Sequence, residues 1–396
     1  MDITIQPGRL RGTIRAIPSK SQAHRSLICA AFADGKTELL CPETNRDIEA
    51  TADCLNALGA KIHRTETGYT VQPIREIPET AVLNCCESGS TVRFMLPIAG
   101  ALGVDTIFQM EGRLPQRPLS PLWEEMERMG CVLTRPTADT VRCTGKLRPG
   151  EYSIDGGVSS QFVTGLLYAL SLLDGESHLT LTGKVESVPY IEMTIRALEG
   201  FGVEIPHSVE EYTIKTACFV TPGTLEVEGD WSNGAFWLAA AGLGSELTIL
   251  GLNPDSPQGD RAAAYWLSRL MAHQTIDASD IPDLVPILAV VSGAKQGATF
   301  INAQRLRIKE TDRLQTTADL INNLGGKAVI SADGLTVEGT GYSGGTVVAT
   351  GDHRIAMAAA IAATVCTEPV TVIGAESVNK SYPAFWRDYV NLGGRI

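Results

Sequence analysis

Basic side chains lie at the start of several apolar segments of this sequence, where a helix would normally carry acidic residues. Lys20 and Arg25 belong to one such segment, Arg93 to a second and Arg354 to a third. Cations in the first turn of a helix oppose the helix dipole, so helix capping alone does not explain them. The N-terminus of a helix also presents free N–H groups that bind phosphate or carboxylate. These four cations therefore predict an anion-binding site.

A second set of basic residues lies in the loops that follow short β-rich runs, and it comprises Arg117, Lys309, Arg313 and Lys380. A basic loop by itself is more often a solvated surface, but these loops recur at one point of a repeated unit, so the fold could gather them. One phosphate carries about −1.5 to −2 charges. Eight cations suit two phosphorylated substrates, or one phosphate together with carboxylates. Asp283 and Glu310 lie among these cations, where an acid either balances charge or moves protons.

The elements that must position these groups recur six times along the chain. Each unit has an apolar helix, which is typical of a protein interior, and an amphipathic helix that ends in glycine. The apolar helices are predicted to start at Ser21, Ser90, Ser159, Ser232, Asp283 and Asp352. The spacings are 69, 69, 73, 51 and 69 residues. Six βαβαββ units in two domains fit this pattern, and the short fourth unit is expected to lack a β-hairpin.

Composition excludes several classes of protein. The formal net charge of −12 disfavours nonspecific nucleic-acid binding. No apolar run approaches the roughly 18 residues that span a bilayer, and the N-terminus has no signal-peptide pattern. Nine cysteines, an odd number without a C-x-x-C pair, favour a reducing compartment. We therefore expect a cytoplasmic protein that binds neither nucleic acid nor membrane.

Six ordered motifs resemble the 5-enolpyruvylshikimate-3-phosphate synthase (3-phosphoshikimate 1-carboxyvinyltransferase) family over essentially the whole chain. They are Ser19-Lys20-Ser21 with Arg25, Gly89-Ser90 with Arg93, Arg117-Pro118, Val158-Ser159-Ser160-Gln161, Lys309-Glu310-Thr311-Asp312-Arg313 and Asp352-His353-Arg354. The resemblance implies a two-domain inside-out α/β barrel fold with three βαβαββ units in each domain. Residues 20–228 would form one domain, and residues 1–19 with 229–396 the other.

The resemblance also implies an activity of aromatic amino-acid biosynthesis. The family transfers the enolpyruvyl group of phosphoenolpyruvate to the 5-hydroxyl of shikimate 3-phosphate through a tetrahedral ketal, without a metal or cofactor. The family's shikimate 3-phosphate contacts match Lys20, Ser21, Arg25, Ser159, Ser160, Gln161, Ser187, Tyr190, Asp283 and Lys309. Its phosphoenolpyruvate contacts match Lys20, Gly89, Arg93, Arg117, Gln161, Arg313, Arg354 and Lys380. Asp283, Glu310 and Lys20 would transfer protons, and we expect a monomer with these two small-molecule substrates.

Some residues depart from the family pattern, and two alternatives stay open. Arg305 stands where the family usually has asparagine, so no substrate contact is expected there. A UDP-N-acetylglucosamine carboxyvinyltransferase of the same fold would have a cysteine in the loop before Arg117 and an asparagine after Lys20. Residues 112–116 contain no cysteine, and Ser21 follows Lys20. A non-catalytic anion-binding relative is disfavoured because both acids and all eight cations remain.

Overall fold

The computed structural model describes all 396 residues, which divide into two compact units. The N-terminal unit is Pro18–Val227, and the C-terminal unit is Met1–Ile17 together with Glu228–Ile396. Each unit encloses its own hydrophobic core. No helix is both long and apolar enough to span a bilayer.

Two short strands show how the chain passes from one unit to the other. The strand β2 (Arg11–Arg15) precedes the first helix of the N-terminal unit, yet it pairs in parallel with β14 (Glu246–Leu250) of the C-terminal unit. The strand β13 (Thr224–Glu226) precedes the first helix of the C-terminal unit, yet it pairs in parallel with β3 (Thr37–Leu40). Each passage between the units thus follows a strand that pairs within the unit that the chain is leaving.

The N-terminal unit has three largely buried helices, α1 (Lys20–Ala31), α3 (Gly89–Leu102) and α5 (Ser160–Ser171). Its amphipathic helices are α2 (Arg46–Ala57), α4 (Leu122–Arg128) and α6 (Val188–Glu199). Besides β3 and β13, its strands are β4 (Lys61–Arg64), β5 (Gly68–Gln72), β6 (Thr80–Asn84), β7 (Asp105–Gln109), β8 (Cys131–Thr134), β9 (Thr140–Gly145), β10 (Glu151–Asp155), β11 (Glu176–Thr182) and β12 (Glu211–Lys215). They form three sheets with the orders β13-β3-β5-β4, β6-β7-β9-β8 and β10-β11-β12.

The C-terminal unit repeats this plan with the buried helices α7 (Trp231–Gly242), α9 (Val285–Ala294) and α11 (His353–Ala363). Its outer helices are α8 (Ala262–Arg269), α10 (Arg313–Asn323) and α12 (Phe385–Asn391). Besides β2 and β14, its strands are β1 (Asp2–Ile5), β15 (Gln274–Asp277), β16 (Ala298–Ile301), β17 (Lys327–Ile330), β18 (Leu335–Glu338), β19 (Gly345–Val348) and β20 (Val370–Ile373). They form three sheets with the orders β14-β2, β15-β16-β18-β17 and β1-β20-β19.

The glycine signal of the repeat is confirmed. The glycines after the amphipathic helices have positive φ angles, which side chains other than glycine rarely adopt. They are Gly59 (107°), Gly130 (116°), Gly202 (76°), Gly325 (84°) and Gly393 (90°). A left-handed residue at this point lets the chain leave the helix and enter the following strand.

The predicted starts of the buried helices are wrong by one or two residues. In α1 and α3 the capping oxygens belong to Ser19 and Ser88, which accept hydrogen bonds from backbone N–H groups of the first turn. The largest error concerns Asp283, because α9 begins only at Val285. A tight turn precedes that helix, in which the Leu284 N–H donates to the Ile281 carbonyl at 3.0 Å. Asp283 therefore lies in this turn and not in the helix.

The shortened fourth unit lacks a β-hairpin, as predicted. Only β15 lies between α8 and α9, whereas β4, β5 and β6 lie between α2 and α3. The central strands β3, β7 and β16 each pair with a neighbour on both sides, but β14 pairs only with β2. The missing hairpin therefore leaves one edge of β14 without a strand beside it. The side chains of Leu247 and Ile249 on this strand are only half-buried.

Candidate active site

Two guanidinium groups converge on the first residue of α3. A Cβ atom placed on Gly89 would lie 2.6 Å from Arg93 Nη1 and 2.7 Å from Arg117 Nη1. Arg93 is buried and donates to neutral oxygens, Gln161 Oε1 at 3.0 Å, Pro118 O at 3.2 Å and Gly89 O at 3.4 Å. The Arg117 side chain has no hydrogen bond or ion pair within the chain, and its Nε is buried. Two cations beside a helix N-terminus form a site for an anion.

The N-terminus of α5 lies against this arginine pair through Gln161. The amide oxygen of Gln161 accepts from Arg93, and its Nε2 donates to Ser90 Oγ at 2.9 Å. Ser159 caps α5 by accepting from the Gln161 N–H at 3.3 Å, and Ser160 is the first, buried residue of the helix. The structure thus brings three of the sequence-predicted motifs together.

Lys20, the first residue of α1, forms an ion pair that sequence reasoning missed. Its Nζ lies 2.9 Å from Oδ2 of Asp47, a buried residue in the first turn of α2. The pair fixes the position of the Lys20 ammonium.

Arg25 is enclosed by hydrogen-bond acceptors of the chain. The residue is 2% exposed, and its guanidinium donates to Ser21 O at 2.7 Å, to Tyr190 O at 2.8 Å and to Thr194 Oγ1 at 3.0 Å. Burial lowers the pKa of Arg25. These bonds join α1 to α6, whose N-cap Ser187 is held in the left-handed conformation with φ 58°. A contact between Arg25 and shikimate 3-phosphate stays a prediction.

The C-terminal unit places Arg313 among three carboxylates. Its Nε lies 2.9 Å from Asp352 Oδ2, its Nη1 2.9 Å from Asp283 Oδ1 and its Nη2 2.5 Å from Glu310 Oε2. The Arg313 side chain is 1% exposed. Burial lowers the pKa of Arg313, but the charges of the three carboxylates raise it by more than burial lowers it, so the guanidinium remains charged. Arg313 therefore fixes the positions of both candidate proton carriers in this unit.

Asp283 also pairs with Arg354, whose Nη2 lies 2.7 Å from Asp283 Oδ2. Burial raises the pKa of Asp283, but Arg354, Lys309 and Arg313 lower it more, so its pKa lies well below the usual range. These cations, and not a helix N-terminus, keep Asp283 ionised.

Lys309 and Glu310 follow a short 3₁₀ helix, Gln304–Ile308. Burial lowers the pKa of Lys309 to about 8, although the charge of Asp283 opposes this shift. Lys380 Nζ lies 4.0 Å from Glu310 Oε1, so a second cation faces that acid. Arg305, for which no substrate contact was expected, donates to Ser279 O at 3.2 Å.

Asp260 is a further acid that sequence reasoning missed. It is 2% exposed, and its carboxylate accepts a hydrogen bond from Ser232 near the start of α7. Burial and the charge of Asp283 raise the pKa of Asp260 to about 7. The Gly259–Arg261 3₁₀ helix gave no periodic signal in the sequence.

Comparison with known proteins identifies one family. The family model "EPSP synthase (3-phosphoshikimate 1-carboxyvinyltransferase)" matches residues 5–275 and 270–389. A 3-phosphoshikimate 1-carboxyvinyltransferase of Clostridium kluyveri is 38% identical over 416 residues, covering 100% of this chain and 98% of its own. The enzyme of the same description from Clostridium novyi is 39% identical over 426 residues, with the same coverage.

Solved structures share the fold. The EPSP synthase from Acinetobacter baumannii superposes with a TM-score of 0.82 at 22% identity, covering 99% of this chain and 98% of its own. The enolpyruvyl transferase NikO from Streptomyces tendae gives a TM-score of 0.78 at 18% identity, covering 100% and 97%. At these identities the likeness concerns the fold alone.

Proposed function

The chain belongs to the EPSP synthase (3-phosphoshikimate 1-carboxyvinyltransferase) family, and from this premise we propose that it transfers the enolpyruvyl group of phosphoenolpyruvate to the 5-hydroxyl of shikimate 3-phosphate. Phosphate is the second product. The two substrates are the only partners that this reaction needs.

The observation that carries the proposal is the arginine pair at Gly89. The Arg117 side chain has no hydrogen bond or ion pair within the chain, so it can take a phosphate oxygen without displacing a carboxylate, and the Arg93 guanidinium lies beside it at Gly89. Two planar guanidinium groups bind phosphate oxygens bidentately, which a lysine ammonium cannot do. We assign this pocket to the phosphate of phosphoenolpyruvate.

The remaining groups divide between acceptor binding and proton transfer. Lys20, Ser21, Arg25, Ser159, Ser160, Gln161, Ser187, Tyr190, Asp283 and Lys309 are proposed for shikimate 3-phosphate, and Arg313, Arg354 and Lys380 for phosphoenolpyruvate. Lys20 and Gln161 serve both substrates in this assignment. Asp283, Glu310 and Lys20 carry protons, and each is held by an opposite charge in its own unit.

The reaction then needs only positioning and proton transfer. The 5-hydroxyl oxygen attacks C2 of phosphoenolpyruvate and gives its proton to a base, for which we propose Asp283. C3 takes a proton from Glu310 or Lys20, which yields a tetrahedral ketal. Loss of a proton from C3 restores the double bond as the C2–O bond to phosphate breaks. Holding both reactants in attack geometry can supply about 7–11 kcal/mol of the barrier.

A phosphate-release assay tests this function directly. Phosphate should appear only when phosphoenolpyruvate and shikimate 3-phosphate are both present, and replacing the acceptor with UDP-N-acetylglucosamine should give none. Release of phosphate with UDP-N-acetylglucosamine as the acceptor, or from phosphoenolpyruvate without any acceptor, would exclude the proposed activity.

The variant Arg117→Lys tests the assignment of the phosphate pocket. It should raise KM for phosphoenolpyruvate about tenfold or more, since a bidentate contact is lost, and should leave KM for shikimate 3-phosphate nearly unchanged. Arg196→Lys, an exposed change on α6, is the matched control. Equal changes in both KM values would contradict the assignment.

We also propose that the enzyme acts as a monomer in the cytoplasm. All nine cysteines are free thiols in the structure, and eight of them are at least partly buried, as suits a reducing compartment. Light scattering of the purified chain, with and without substrates, measures its oligomeric state.

A further inference from the structure

A chain of four buried polar side chains runs from α1 through α2 to the N-cap of α3. His24 Nδ1 lies 2.7 Å from Thr51 Oγ1, which lies 2.7 Å from Thr91 Oγ1, which in turn lies 2.7 Å from Ser88 Oγ. All four residues are 0% exposed. Ser88 Oγ also accepts from the Thr91 N–H at 3.2 Å and thereby caps α3. None of these residues belongs to the substrate contacts assigned above.

The direction of the hydrogen bonds fixes the state of the histidine. Thr91 has a single hydroxyl proton, which it donates to Ser88 Oγ at 2.7 Å, with Asp47 O at 3.4 Å as a second acceptor, and not to Thr51. Thr91 Oγ1 must then accept from Thr51, and Thr51 Oγ1 from His24. The chain therefore requires a neutral imidazole with its proton on Nδ1.

The surroundings of His24 favour that neutral form. Burial, together with the charges of Lys20 and Arg25, lowers the pKa of His24 to about 3, although the charge of Asp47 opposes this shift. Nε2 is buried without a hydrogen-bond partner, and the ring meets the edge of Phe94 at a centroid distance of 6.3 Å. An imidazole buried with one nitrogen unsatisfied costs free energy. A buried group kept at such a cost calls for an explanation, and the bond from Nδ1 is the only polar contact that the ring makes.

The end of the chain shows what is held. Ser88 precedes Gly89, where the guanidinium groups of Arg93 and Arg117 converge. We propose that His24 is a positioning residue for phosphoenolpyruvate, which fixes the first turn of α3 and so the phosphate pocket formed around Gly89. This inference rests on the proposed function, because the pocket is assigned to that substrate. His24 itself touches neither substrate.

The variants His24→Leu and His24→Asn separate the hydrogen bond from the packing. Leucine fills the space without a donor, whereas the asparagine Nδ2–H can replace the Nδ1–H of histidine. His24→Leu should raise KM for phosphoenolpyruvate about 5- to 30-fold, because the Thr51 hydroxyl loses its donor. We expect kcat and KM for shikimate 3-phosphate to stay within about threefold, and His24→Asn to restore the wild-type KM.

Other results would overturn the inference. They are an unchanged KM for phosphoenolpyruvate in folded His24→Leu, equal changes in both KM values, or an asparagine variant as impaired as the leucine variant. A general packing defect produces the second and third of these outcomes, since it is not specific to one substrate or to a donor.

The Thr51→Val and Thr51→Ser variants give a second, independent test that does not require His24→Leu to fold. Valine breaks the chain, whereas serine keeps the hydroxyl, so only Thr51→Val should raise KM for phosphoenolpyruvate. A serine variant as weak as the valine variant would contradict the proposal.

Calorimetry with phosphoenolpyruvate alone distinguishes failure of this inference from failure of the proposed function. If the wild type binds phosphoenolpyruvate but releases no phosphate, the proposed function is wrong. Weaker binding by Thr51→Val with normal binding by Thr51→Ser would still support the positioning role. If the wild type turns over but Thr51→Val binds phosphoenolpyruvate normally, only the positioning role is wrong.

Discussion

Replacing Asp283 with asparagine tests the proposed chemistry most directly, because the change keeps the shape of the side chain and removes its charge. Both carboxylate oxygens of Asp283 are in ion pairs, with Arg313 at 2.9 Å and with Arg354 at 2.7 Å. If Asp283 is the base that takes the hydroxyl proton, kcat should fall by roughly 10²–10⁴-fold, the range of one general acid–base group. Binding of shikimate 3-phosphate should persist, since asparagine still offers a hydrogen-bond acceptor.

The same change also has a cost in stability, which must be measured separately. The asparagine side chain would satisfy one guanidinium and leave the second with a weaker contact, which costs about 1–3 kcal/mol. A loss of that size lowers Tm by roughly 2–12 °C in a domain of this size. The pKa of Asp283 is depressed in the folded state, so its stabilising contribution is present above the ordinary carboxyl pKa near 4 and is lost as pH falls below that value. The stability difference between wild type and variant should therefore shrink in acid.

The assay combines calorimetry with shikimate 3-phosphate, phosphate release and thermal unfolding at one pH. Asp319→Asn, an exposed change on α10 in the same unit, is the matched control and should leave all three unchanged. Turnover within about threefold of wild type in Asp283→Asn would exclude a general-base role, and would leave Lys20 or Glu310 as the base. If Asp283→Asn loses both the binding of shikimate 3-phosphate and turnover, Asp283 holds the acceptor.

Three other features of the structure can be tested by kinetics, denaturation and hydrogen exchange. Gly89→Ala should raise KM for phosphoenolpyruvate about tenfold in steady-state kinetics, because the new Cβ would displace the Arg93 and Arg117 guanidinium groups, which lie 2.6 and 2.7 Å from it. The chain should stay folded, since these contacts are with the ends of side chains and not with the backbone. An unchanged KM would contradict this. The pKa of Asp260 is raised to about 7 in the folded state, so its contribution to the free energy of unfolding should fall as pH rises from about 4 to 7. Denaturant titrations should therefore show Asp260→Asn becoming more stable relative to wild type over that range. A difference in stability that does not change with pH would contradict this. The backbone amides of Leu247 and Ile249 face the open edge of β14, whereas those of Thr248 and Leu250 face β2. The first two should exchange hydrogen at least about tenfold faster than the other two. Equal protection would mean that another part of the protein covers the edge.

The repeat pattern predicted the fold well because each of its signals has a local physical cause. The glycines after the amphipathic helices have positive φ angles, which can be anticipated from one residue and its neighbours. The absent hairpin could be predicted from a spacing of 51 residues where the other units have about 70. The pairing of β2 with β14 and of β13 with β3 has no such signal in the repeat, since strand partners are chosen by packing at long range.

The site was predictable in its charges and less so in their partners. Arg93 stood out because a cation near a helix start opposes the dipole, and Arg117 because basic loops recur at one point of the repeated unit. The two side chains do meet at Gly89. Asp47, Asp260 and Thr51 did not stand out, because an acid or hydroxyl on a helix or in a loop is ordinary in sequence. Their roles depend on which side chain the tertiary structure places opposite them. The position of Asp283 was wrong for a related reason, since the preceding turn delays the start of α9.

The two sets of cations are compensated differently, and this difference suggests a division of labour. In the C-terminal unit, Lys309, Arg313, Arg354 and Lys380 lie among the carboxylates of Asp283, Glu310 and Asp352, so this cluster has a net charge near +1. At Gly89, by contrast, Arg117 has no partner within the chain. A compensated cluster binds a new anion weakly but holds its acids in fixed positions and charge states, as proton transfer requires. An uncompensated guanidinium at a helix N-terminus attracts phosphate even on a chain of net charge −12. The affinity for phosphoenolpyruvate should therefore be most sensitive to changes around α3, and kcat should be most sensitive to changes around Arg313.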